Sequence, residues 1–353
     1  MKDESDSPGA SAGTARSKVT LREIAELSGV SISTVSRALS GSPGLSETVR
    51  SRVQSAADRL NYIGSGGPGI SVTVLSNIDM GLSGPPDFQV ELFAGIEREC
   101  RDLDLPLAYV MMGEGQLPQI AASTTDGDRR GIILLSFHDE TLIGRLVGEG
   151  VPAVIVNGID PGMRLDAVSA GNRSGGFAAA RHLIDLGHHR ILHLTHGARR
   201  PVRDRLHGAR DAIEAAGLAF DGDLVIDLAV MRSDAAYAAV RDRLAAQGGK
   251  PDFTAIQCCN DASAFGAMTA VEDAGLSIPG DISIVGFDDI RMAAMTHPPL
   301  TTVQVPRQEI GGYGLRRLLE RMRSPQATVT YTEFAGPLIV RRSTAPAKAS
   351  RLG

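Results

Sequence analysis

From residue 70 onward, short apolar segments of strand length alternate with longer segments whose apolar residues recur at helical spacing. Several of the helical segments end in glycine, as at Gly187, Gly217 and Gly275, and glycine commonly terminates a helix. Strand–helix alternation of this kind indicates parallel, doubly wound sheets. About 270 residues exceed what one such sheet usually holds, so we expect two α/β lobes with a cleft between them.

The α/β region is predicted to extend over residues 70–345. Its predicted strands are 71–75, 107–111, 131–135, 153–156, 167–169, 191–194, 255–257 and 282–285. Its predicted helices are 92–103, 173–186, 205–216, 235–247 and 262–274. We expect the N-lobe to comprise about 70–168 and 297–327, and the C-lobe about 169–296 and 328–345.

The chain ahead of residue 70 has a different composition. Residues 1–17 lack the apolar side chains of a core and are predicted to form a disordered tail. Residues 64–69 are Gly-rich and predict a short linker. Between these two segments, residues 18–63 predict a small all-α domain.

Residues 19–39 predict two helices joined by a tight turn. Thr20 can cap the first helix, and Glu23 completes a capping box. Gly29 supplies the turn, and Ser31 can cap the second helix. A third helix is predicted from Ser46 onward. The apolar residues at helical spacing in the first two helices and the turn are Ile24, Ala25, Leu27, Val30, Val35, Ala38 and Leu39.

Two capped helices around a glycine turn, the second with a polar outer face, predict a helix-turn-helix whose second helix enters the DNA major groove. Arg37 can make a bidentate contact to guanine, and Ile32 can contact a thymine methyl group. The hydroxyls of Ser31, Thr34 and Ser36 suit phosphate oxygens instead. The alternative is a three-helix packing unit that does not bind DNA, but such a unit would rarely combine both caps, the glycine turn and the polar face.

The net charge and the cysteine content limit which binding partners and which cellular compartment are plausible. The formal net charge is -5, yet residues 18–63 hold six basic and four acidic residues, so the acidic excess lies elsewhere. A mildly basic reader joined to an acidic domain is compatible with DNA binding. Three cysteines, no apolar leader and no run of about 18 apolar residues predict a cytoplasmic protein.

The segment 19–39, with its continuation through 49–53 and 60–63, resembles the N-terminal domain of the lactose-repressor (LacI/GalR) family. The resemblance implies that Ile32, Ser33 and Arg37 read the operator. Ser40 stands where family members usually have Asn. The full predicted set of DNA contacts is Thr20, Leu21, Ser31, Ile32, Ser33, Thr34, Ser36, Arg37 and Tyr62.

Further segments of the α/β region resemble the same family, and the most diagnostic is 278–289 with 299–303. The others are 88–99, 172–191, 205–208, 254–270 and the ending 338–344. The resemblance implies a periplasmic-binding-protein-like domain whose two lobes close on a small-molecule effector.

Three residues are predicted to contact that effector. Asp261 follows a predicted strand, so we expect it on the cleft rim, where a carboxylate can accept hydrogen bonds from vicinal hydroxyls or a base edge. Arg205 can donate a bidentate pair. The resemblance implies effector contact by both, with Asn172 as a further candidate. The alternatives are that Asp261 and Asn172 cap helices and that Arg205 pairs on the surface. Asp288 and Asp289 are assigned to a structural turn.

The sequence predicts neither a metal site, nor a cofactor, nor an enzyme. The histidines cluster between 182 and 196, but His193 and His196 should point to opposite faces of a strand, and neither a cysteine nor a carboxylate completes a zinc set. The adjacent Cys258 and Cys259 are poorly placed to bridge. The sequence contains neither a phosphate-binding loop nor a nucleophile elbow.

The linker departs from the family pattern. Family members usually have a short hinge helix here, with a leucine that wedges the minor groove of bent DNA. In this chain, Ile63 is followed by 64–69 and then directly by the first predicted strand. We therefore predict a flexible tether, weak DNA bending and coupling below the ~1–3 kcal/mol typical of allosteric proteins.

The resulting prediction is a homodimeric repressor, with an activator as the less favoured alternative. Each subunit would contact half of a pseudo-palindromic operator, and a cleft ligand would shift the populations of its states. The effector is expected to be sugar-like, with sugar phosphates and nucleobases as alternatives. One rival is a regulator that has lost its effector response. The other is an exported solute-binding protein, which would need a signal peptide and would have no helix-turn-helix.

Overall fold

The computed structural model describes residues 20–39, 44–60, 70–77, 86–112, 129–136 and 138–348. The chain divides after residue 68 into two units. The predicted tail 1–17 and linker 64–69 lie outside the described residues, as do Ser40 and Tyr62. The expectations of a flexible tether and of a DNA contact by Tyr62 therefore stay predictions.

The first unit contains three described helices, α1 (Leu21–Ser28), α2 (Ile32–Leu39) and α3 (Glu47–Arg59). The prediction of three helices is confirmed. Their shared core is formed by Ile24, Ala25, Val35, Ala38, Val53, Ala56 and Ala57. Leu27, predicted for the apolar face of α1, is instead 40% exposed.

The second unit alternates strands and helices. Its helices are α4 (Pro86–Asp102), α5 (Glu140–Gly148), α6 (Asn172–Asp185), α7 (Arg200–Ala215), α8 (Ser233–Ala246), α9 (Asp261–Asp273) and α10 (Arg307–Arg323). Its strands are β1 (Ile70–Asn77), β2 (Leu107–Met112), β3 (Arg129–Leu135), β4 (Ala153–Val156), β5 (Asp166–Ala170), β6 (Ile191–Thr195), β7 (Val225–Asp227), β8 (Ala255–Cys258), β9 (Ser283–Asp288), β10 (Thr301–Gln304), β11 (Tyr331–Phe334) and β12 (Leu338–Ile339). All eight predicted strands and all five predicted helices of this region are present.

The strands form two six-stranded sheets, one for each lobe. The N-lobe sheet has the order β11-β5-β4-β3-β1-β2, and all its pairings are parallel. The C-lobe sheet has the order β12-β10-β9-β8-β6-β7, in which β12 runs antiparallel to its neighbour and the other pairings are parallel. The prediction of two doubly wound α/β lobes is therefore confirmed.

The predicted lobe boundaries are wrong at the two later points where the chain passes from one lobe to the other. They place β10 in the N-lobe, but this strand pairs with β9 in the C-lobe sheet. They place β11 in the C-lobe, but this strand pairs with β5 in the N-lobe sheet. The chain therefore crosses between the lobes around residue 171, between 304 and 307, and between 334 and 338. Parallel pairing joins segments far apart in sequence, so a run of four residues carries little information about its sheet.

A buried carboxylate fastens β11 to the N-lobe. Asp166, at the start of β5, is fully buried and accepts hydrogen bonds from Thr330 N at 2.7 Å and Arg321 Nε at 2.7 Å. Arg317 adds an ion pair at 3.0 Å. Burial alone would raise the pKa of Asp166, but these donors hold it below its usual value. The segment that carries β11 is thus tied to its sheet by charge as well as by backbone pairing.

Candidate nucleic-acid interface and inter-lobe cavity

Helix α1 begins with the predicted capping box. The Thr20 hydroxyl oxygen accepts a hydrogen bond from Glu23 N at 3.3 Å, and the Glu23 carboxylate accepts one from Thr20 N at 2.6 Å. The hydrogen bonds that the Thr20 backbone N–H and hydroxyl donate to the Glu23 carboxylate lower the pKa of Glu23. The helix ends at Gly29, whose φ of 65° lies in the left-handed region that favours glycine. Both predicted signals therefore set the geometry of the turn into α2.

Three hydroxyl groups meet at the start of α2. The Ser31 hydroxyl oxygen accepts a hydrogen bond from Thr34 N at 3.1 Å, which confirms Ser31 as the cap. The same oxygen lies 2.8 Å from both Ser33 Oγ and Thr34 Oγ1. Ser31 and Ser33 are exposed and Thr34 is half-buried. Hydroxyls at a helix N-terminus are well suited to donate hydrogen bonds to phosphate oxygens.

The outer face of α2 carries side chains predicted to contact DNA. Ile32 is 49% exposed, and Ser33, Ser36 and Arg37 are also exposed. The opposite face buries Val35 and Ala38 in the core of the unit. The helix therefore presents these four side chains to solvent and its apolar residues to the core.

The two remaining described candidates flank this face differently. Thr20 is exposed at the start of α1, whereas Leu21 is half-buried and packs against the three-helix core. Thr20 is therefore accessible to DNA, whereas the side chain of Leu21 is partly committed to the core.

Two arginines of α3 hold the ends of the other helices, a role that local sequence patterns do not indicate. Arg52 donates a hydrogen bond to Ser28 O at 2.5 Å, and Arg50 donates one to Ala38 O at 3.4 Å. These carbonyls lie in the last turns of α1 and α2, where a cation is favoured by the helix dipole. Two of the basic residues of this unit therefore orient the helix pair.

A cavity lies between the two lobes, at the carboxyl ends of parallel strands. Phe88 and Asn157 come from the N-lobe, and the remaining lining residues come from the C-lobe. The lining residues are Phe88, Asn157, Arg199, Pro201, Val202, Arg205, Met231, Asn260 and Asp288.

Arg205 lies in the cavity wall and is held on several sides. Its guanidinium lies 3.7 Å from the centroid of the Phe287 ring and donates a hydrogen bond to the carbonyl of Cys259. Its Nη1 lies 3.5 Å from Asp288 Oδ1. Because Arg205 is only 8% exposed, its orientation is fixed before any ligand arrives.

Asn172 supports Arg205 and does not line the cavity. Its Oδ1 accepts a hydrogen bond from Arg205 Nε at 2.9 Å. Its Nδ2 donates to Ala170 O at 2.8 Å. The side chain is 2% exposed, so both ends are committed within the protein. In this arrangement Asn172 positions Arg205, and its contact with the effector stays a prediction.

Asp261, predicted to lie on the cleft rim, is not among the residues that line this cavity, and its contact with the effector stays a prediction. Asp261 is fully buried behind the wall as the first residue of α9. Its Oδ1 accepts a hydrogen bond from Thr302 Oγ1 at 2.6 Å, and its Oδ2 accepts one from Ile290 N at 2.9 Å. Burial, with the nearby charge of Asp288, raises the pKa of Asp261 well above its usual value. Both oxygens serve the packing of α9 on the sheet edge.

Asp288, which the sequence assigns to a structural turn, lines the cavity. It is the last residue of β9 and is 3% exposed. Its φ of 117° is one that residues other than glycine rarely adopt, and such outliers cluster at functional sites. No group in the described part of the chain donates a hydrogen bond to Oδ1. The signal available in the sequence is an Asp pair directly after a buried strand, a pattern that is equally typical of a turn.

Three arginines lie near the Asp288 carboxylate, but the effect of burial on its pKa is larger than theirs. Burial raises the pKa of Asp288 to about 6, although Arg205, Arg307 and Arg199 each act to lower it. Arg307 also donates a hydrogen bond to the Asp288 carbonyl. Asp288 therefore titrates close to neutral pH, and its Oδ1 is available to accept a hydrogen bond from a ligand.

Two asparagines complete the polar lining from opposite lobes. Asn157 has a φ of 60° and donates a hydrogen bond from Nδ2 to Ser136 Oγ at 2.8 Å. Asn260 caps α9, since its Oδ1 accepts from Ser263 N at 2.9 Å. Each side chain is anchored by its own lobe. A molecule that touches both would therefore bridge the lobes.

Neither a metal centre nor a membrane span occurs in the described ranges. These residues contain no group of three His, Cys, Asp or Glu side chains placed to hold a metal ion. Burial lowers the pKa of His193 to about 4, so this imidazole is neutral in the core. Cys258 and Cys259 are both buried free thiols. No helix among the described residues is sufficiently long and apolar to cross a bilayer.

Family models match both units of the chain. Residues 20–65 match the model for bacterial regulatory proteins of the lacI family, and residues 180–344 match a periplasmic binding protein-like domain. A transcriptional regulator of Streptomyces coelicolor, MalR, is 32% identical over 94% of this chain and 98% of its own length. The chain belongs to the lacI family. As a member of that family, it is a DNA-binding transcription regulator.

Other similar proteins support the same assignment. The transcriptional repressor PurR of Photobacterium profundum is 28% identical over 92% of this chain and 98% of its own length. The solved structure of the regulator CelR in complex with cellobiose is 26% identical, with a TM-score of 0.67 over 92% of this chain and 99% of that one. The lacI-family architecture therefore spans both the helix-turn-helix unit and the two lobes.

Proposed function

We propose that this lacI-family protein is a homodimeric repressor that binds a pseudo-palindromic operator and responds to a small polar effector in the inter-lobe cavity. The observation that carries the proposal is the Arg205–Asp288 pair. It places a fixed donor beside an acceptor oxygen that receives no hydrogen bond from the described residues, in one desolvated wall between two lobes. Buried polar groups of this kind are costly unless a ligand or water pairs with them.

The outer face of α2 supplies the proposed operator contacts. Arg37 would read guanine with two hydrogen bonds, and Ile32 would lie against a thymine methyl group. The hydroxyls of Ser31, Thr34 and Ser36 would position the helix on phosphates. In a symmetric dimer, each α2 would enter one half-site. We place this activity in the cytoplasm and assign no enzymatic role.

The proposed effector is sugar-like, with a nucleobase as the alternative. CelR was solved with cellobiose, and PurR is named as a repressor, so related proteins support a polar effector and repression. Fixed amide, carboxylate and guanidinium groups in the cavity suit vicinal hydroxyls. A ligand that touches Asn157 and the C-lobe residues together would favour one relative position of the lobes, and so would shift operator affinity.

The proposal is tested by combining ligand-induced stabilisation with operator release. The full chain is screened by thermal unfolding against sugars, sugar phosphates, purines and nucleosides, and hits are added to the protein–operator complex. A ligand at a hundredfold excess over its Kd should add ~2.7 kcal/mol to the free energy of unfolding. A hit that also changes operator affinity supports the proposal. Stabilisation without any change in affinity, or no hit at all, would favour a constitutive regulator.

An apolar patch on the N-lobe supports the proposed dimer. Val90 on α4 is 63% exposed, and three consecutive residues of β2, Tyr109, Val110 and Met111, are 38–41% exposed. Phe93 and Tyr109 contact each other with ring centroids 4.9 Å apart, so α4 and β2 form one continuous surface. Strand β2 lies at the sheet edge. Exposed apolar residues on an edge strand are typical of an interface.

Replacing Val90 by aspartate is expected to weaken the dimer by at least about tenfold, because a buried unpaired charge costs more than 1.4 kcal/mol. Sedimentation of the variant over a range of concentrations measures this. The matched control is Val147→Asp, which changes a valine that is 42% exposed on α5. Equal dissociation of both variants, or of neither, would remove the α4–β2 surface from the interface.

A further inference from the structure

Three buried polar side chains of the C-lobe line one small space inside that lobe. They are His193 and Thr195 of β6 and Gln257 of β8, and each is at most 6% exposed. Within the described part of the chain, His193 Nε2, Thr195 Oγ1 and Gln257 Oε1 have no hydrogen-bond partner. Buried polar atoms of this kind cost free energy unless another molecule pairs with them.

The C-lobe sheet places these three side chains on one of its faces. His193 and Thr195 are two residues apart in the same strand, so their side chains point to the same side. Gln257 lies opposite His193 in the parallel register of β6 and β8, and residues in register share a face of the sheet. Helix α7 also contributes to the lining of the space, with Val202, Arg205 and Leu206.

The orientation of the Gln257 amide is fixed by the backbone of α6. Its Nε2 donates a hydrogen bond to Gly176 O at 3.0 Å. Turning the amide over would bring two oxygen atoms together, so Oε1 is the end that is left without a partner. An amide oxygen can only accept a hydrogen bond, so the partner of Gln257 must be a donor.

The chemistry of the lining favours a neutral partner that can both donate and accept. Burial lowers the pKa of His193 to about 4, so its imidazole is neutral and Nε2 can donate or accept, as the Thr195 hydroxyl can. Of the described residues that line the space, none is Asp or Glu, so a cation would lack a counter-charge. An anion would face Gln257 Oε1, and Arg205 already lies 3.5 Å from Asp288.

We propose that this space binds an internal water molecule that bridges His193 Nε2, Thr195 Oγ1 and Gln257 Oε1. Water can donate to Gln257 and still pair with the other two groups, and buried waters typically make about three hydrogen bonds. The space admits about one water-sized molecule. Arg205 and Val202 line both this space and the inter-lobe cavity, so the water site lies directly behind the cavity wall. The inference is independent of the proposed effector role.

A crystal structure of the full chain, at a resolution that shows ordered water, tests the proposal. We expect one density peak within hydrogen-bonding distance of all three atoms. Thr195→Ser keeps the hydroxyl and should retain the peak, whereas Thr195→Val should weaken or abolish it. A space without density would overturn the inference, and so would a direct hydrogen bond between His193 and Gln257 or a peak that is unchanged in Thr195→Val.

The sign of a stability change provides a second test, in solution. If water pairs with Thr195, Thr195→Val removes a hydrogen bond, and the Tm should fall by about 2–4 °C. If the hydroxyl has no partner, the same change replaces it by a methyl group of similar shape, and an equal or higher Tm would contradict the water site. The matched control is Thr301→Val. Thr301 is fully buried and its hydroxyl oxygen accepts a hydrogen bond from Arg341 N at 2.9 Å, so its Tm should fall in either case.

Discussion

Replacing Arg37 by alanine is expected to weaken operator binding by roughly 30-fold or more in the dimer. A bidentate contact to guanine contributes ~1–3 kcal/mol, and a symmetric dimer forgoes it in both half-sites. The residue is exposed on the outer face of α2, while Val35 and Ala38 form the core on the other side. The effect should therefore appear chiefly in DNA binding, because Arg37 is not part of the core of the helical unit.

The measurement starts from an operator selected with the wild-type protein from random-sequence DNA. Fluorescence anisotropy then gives the Kd of the wild type and of Arg37→Ala on this operator and on a version with the contacted guanine replaced. If Arg37 reads that base, the base change should cost the wild type affinity and cost the variant little more. Arg22→Ala is the control, since Arg22 is exposed on α1 and pairs with Glu26 at 3.3 Å.

A phosphate contact by Arg37 would give a different result. The affinity of the variant would then fall uniformly over all sequences, and the slope of log K against log salt would become shallower by ~0.9 for each phosphate that is no longer neutralised. Such an outcome would contradict base reading by Arg37. Recognition of the base sequence would then have to come from Ile32, Ser33 or residues outside the described ranges.

The helix-turn-helix was predictable because its signals are local. The Thr20–Glu23 box, the left-handed Gly29 and the Ser31 cap each depend on atoms no more than five residues apart, and all three occur as expected. The arginine contacts from α3 were not predictable in this way. Arg52 reaches Ser28 across 24 residues, and nothing in the spacing of the sequence indicates that contact.

The cavity was predictable in its place but not in its residues. Strand ends are readable from the sequence, so a cleft at the carboxyl ends of the parallel strands could be expected. Which carboxylate faces the cleft is not readable. Asp261 is drawn behind the wall by Thr302 and Ile290, which follow it by 41 and 29 residues. The same non-local pairing decides the lobe membership of β10 and β11.

Replacing Asp288 by asparagine is expected to abolish most of the effector response. A hydrogen bond to a charged group contributes ~1.5–3 kcal/mol, so the Kd of the effector should rise by about 10- to 100-fold. In the wild type, affinity should also fall as the pH drops through about 6, where Asp288 becomes protonated. That step should be absent in the variant. Calorimetric titration between pH 5 and 8, spanning about one unit or more on either side, measures both effects.

The stability of the same variant should change in the opposite direction. The pKa of Asp288 rises from 3.8 to about 6 on folding, so the native state binds the proton more tightly than the unfolded state. This group's contribution to the free energy of unfolding therefore decreases as the pH rises from about 4 to about 6. A neutral asparagine removes that cost, so Asp288→Asn should unfold at an equal or higher temperature than the wild type at pH 7.5.

Asp261→Ala is the decisive comparison for the assignment of the two carboxylates. It leaves the Ile290 amide and the Thr302 hydroxyl without their acceptor, so it should lower the free energy of unfolding by ~1–3 kcal/mol. Effector affinity should stay within about twofold, because Asp261 does not line the cavity. The reverse pattern, with the response abolished in Asp261→Ala and kept in Asp288→Asn, would mean that lobe closure redirects Asp261 into the cavity. In that case the hydrogen bonds of Asp261 to Thr302 and Ile290 would have to break when the effector binds.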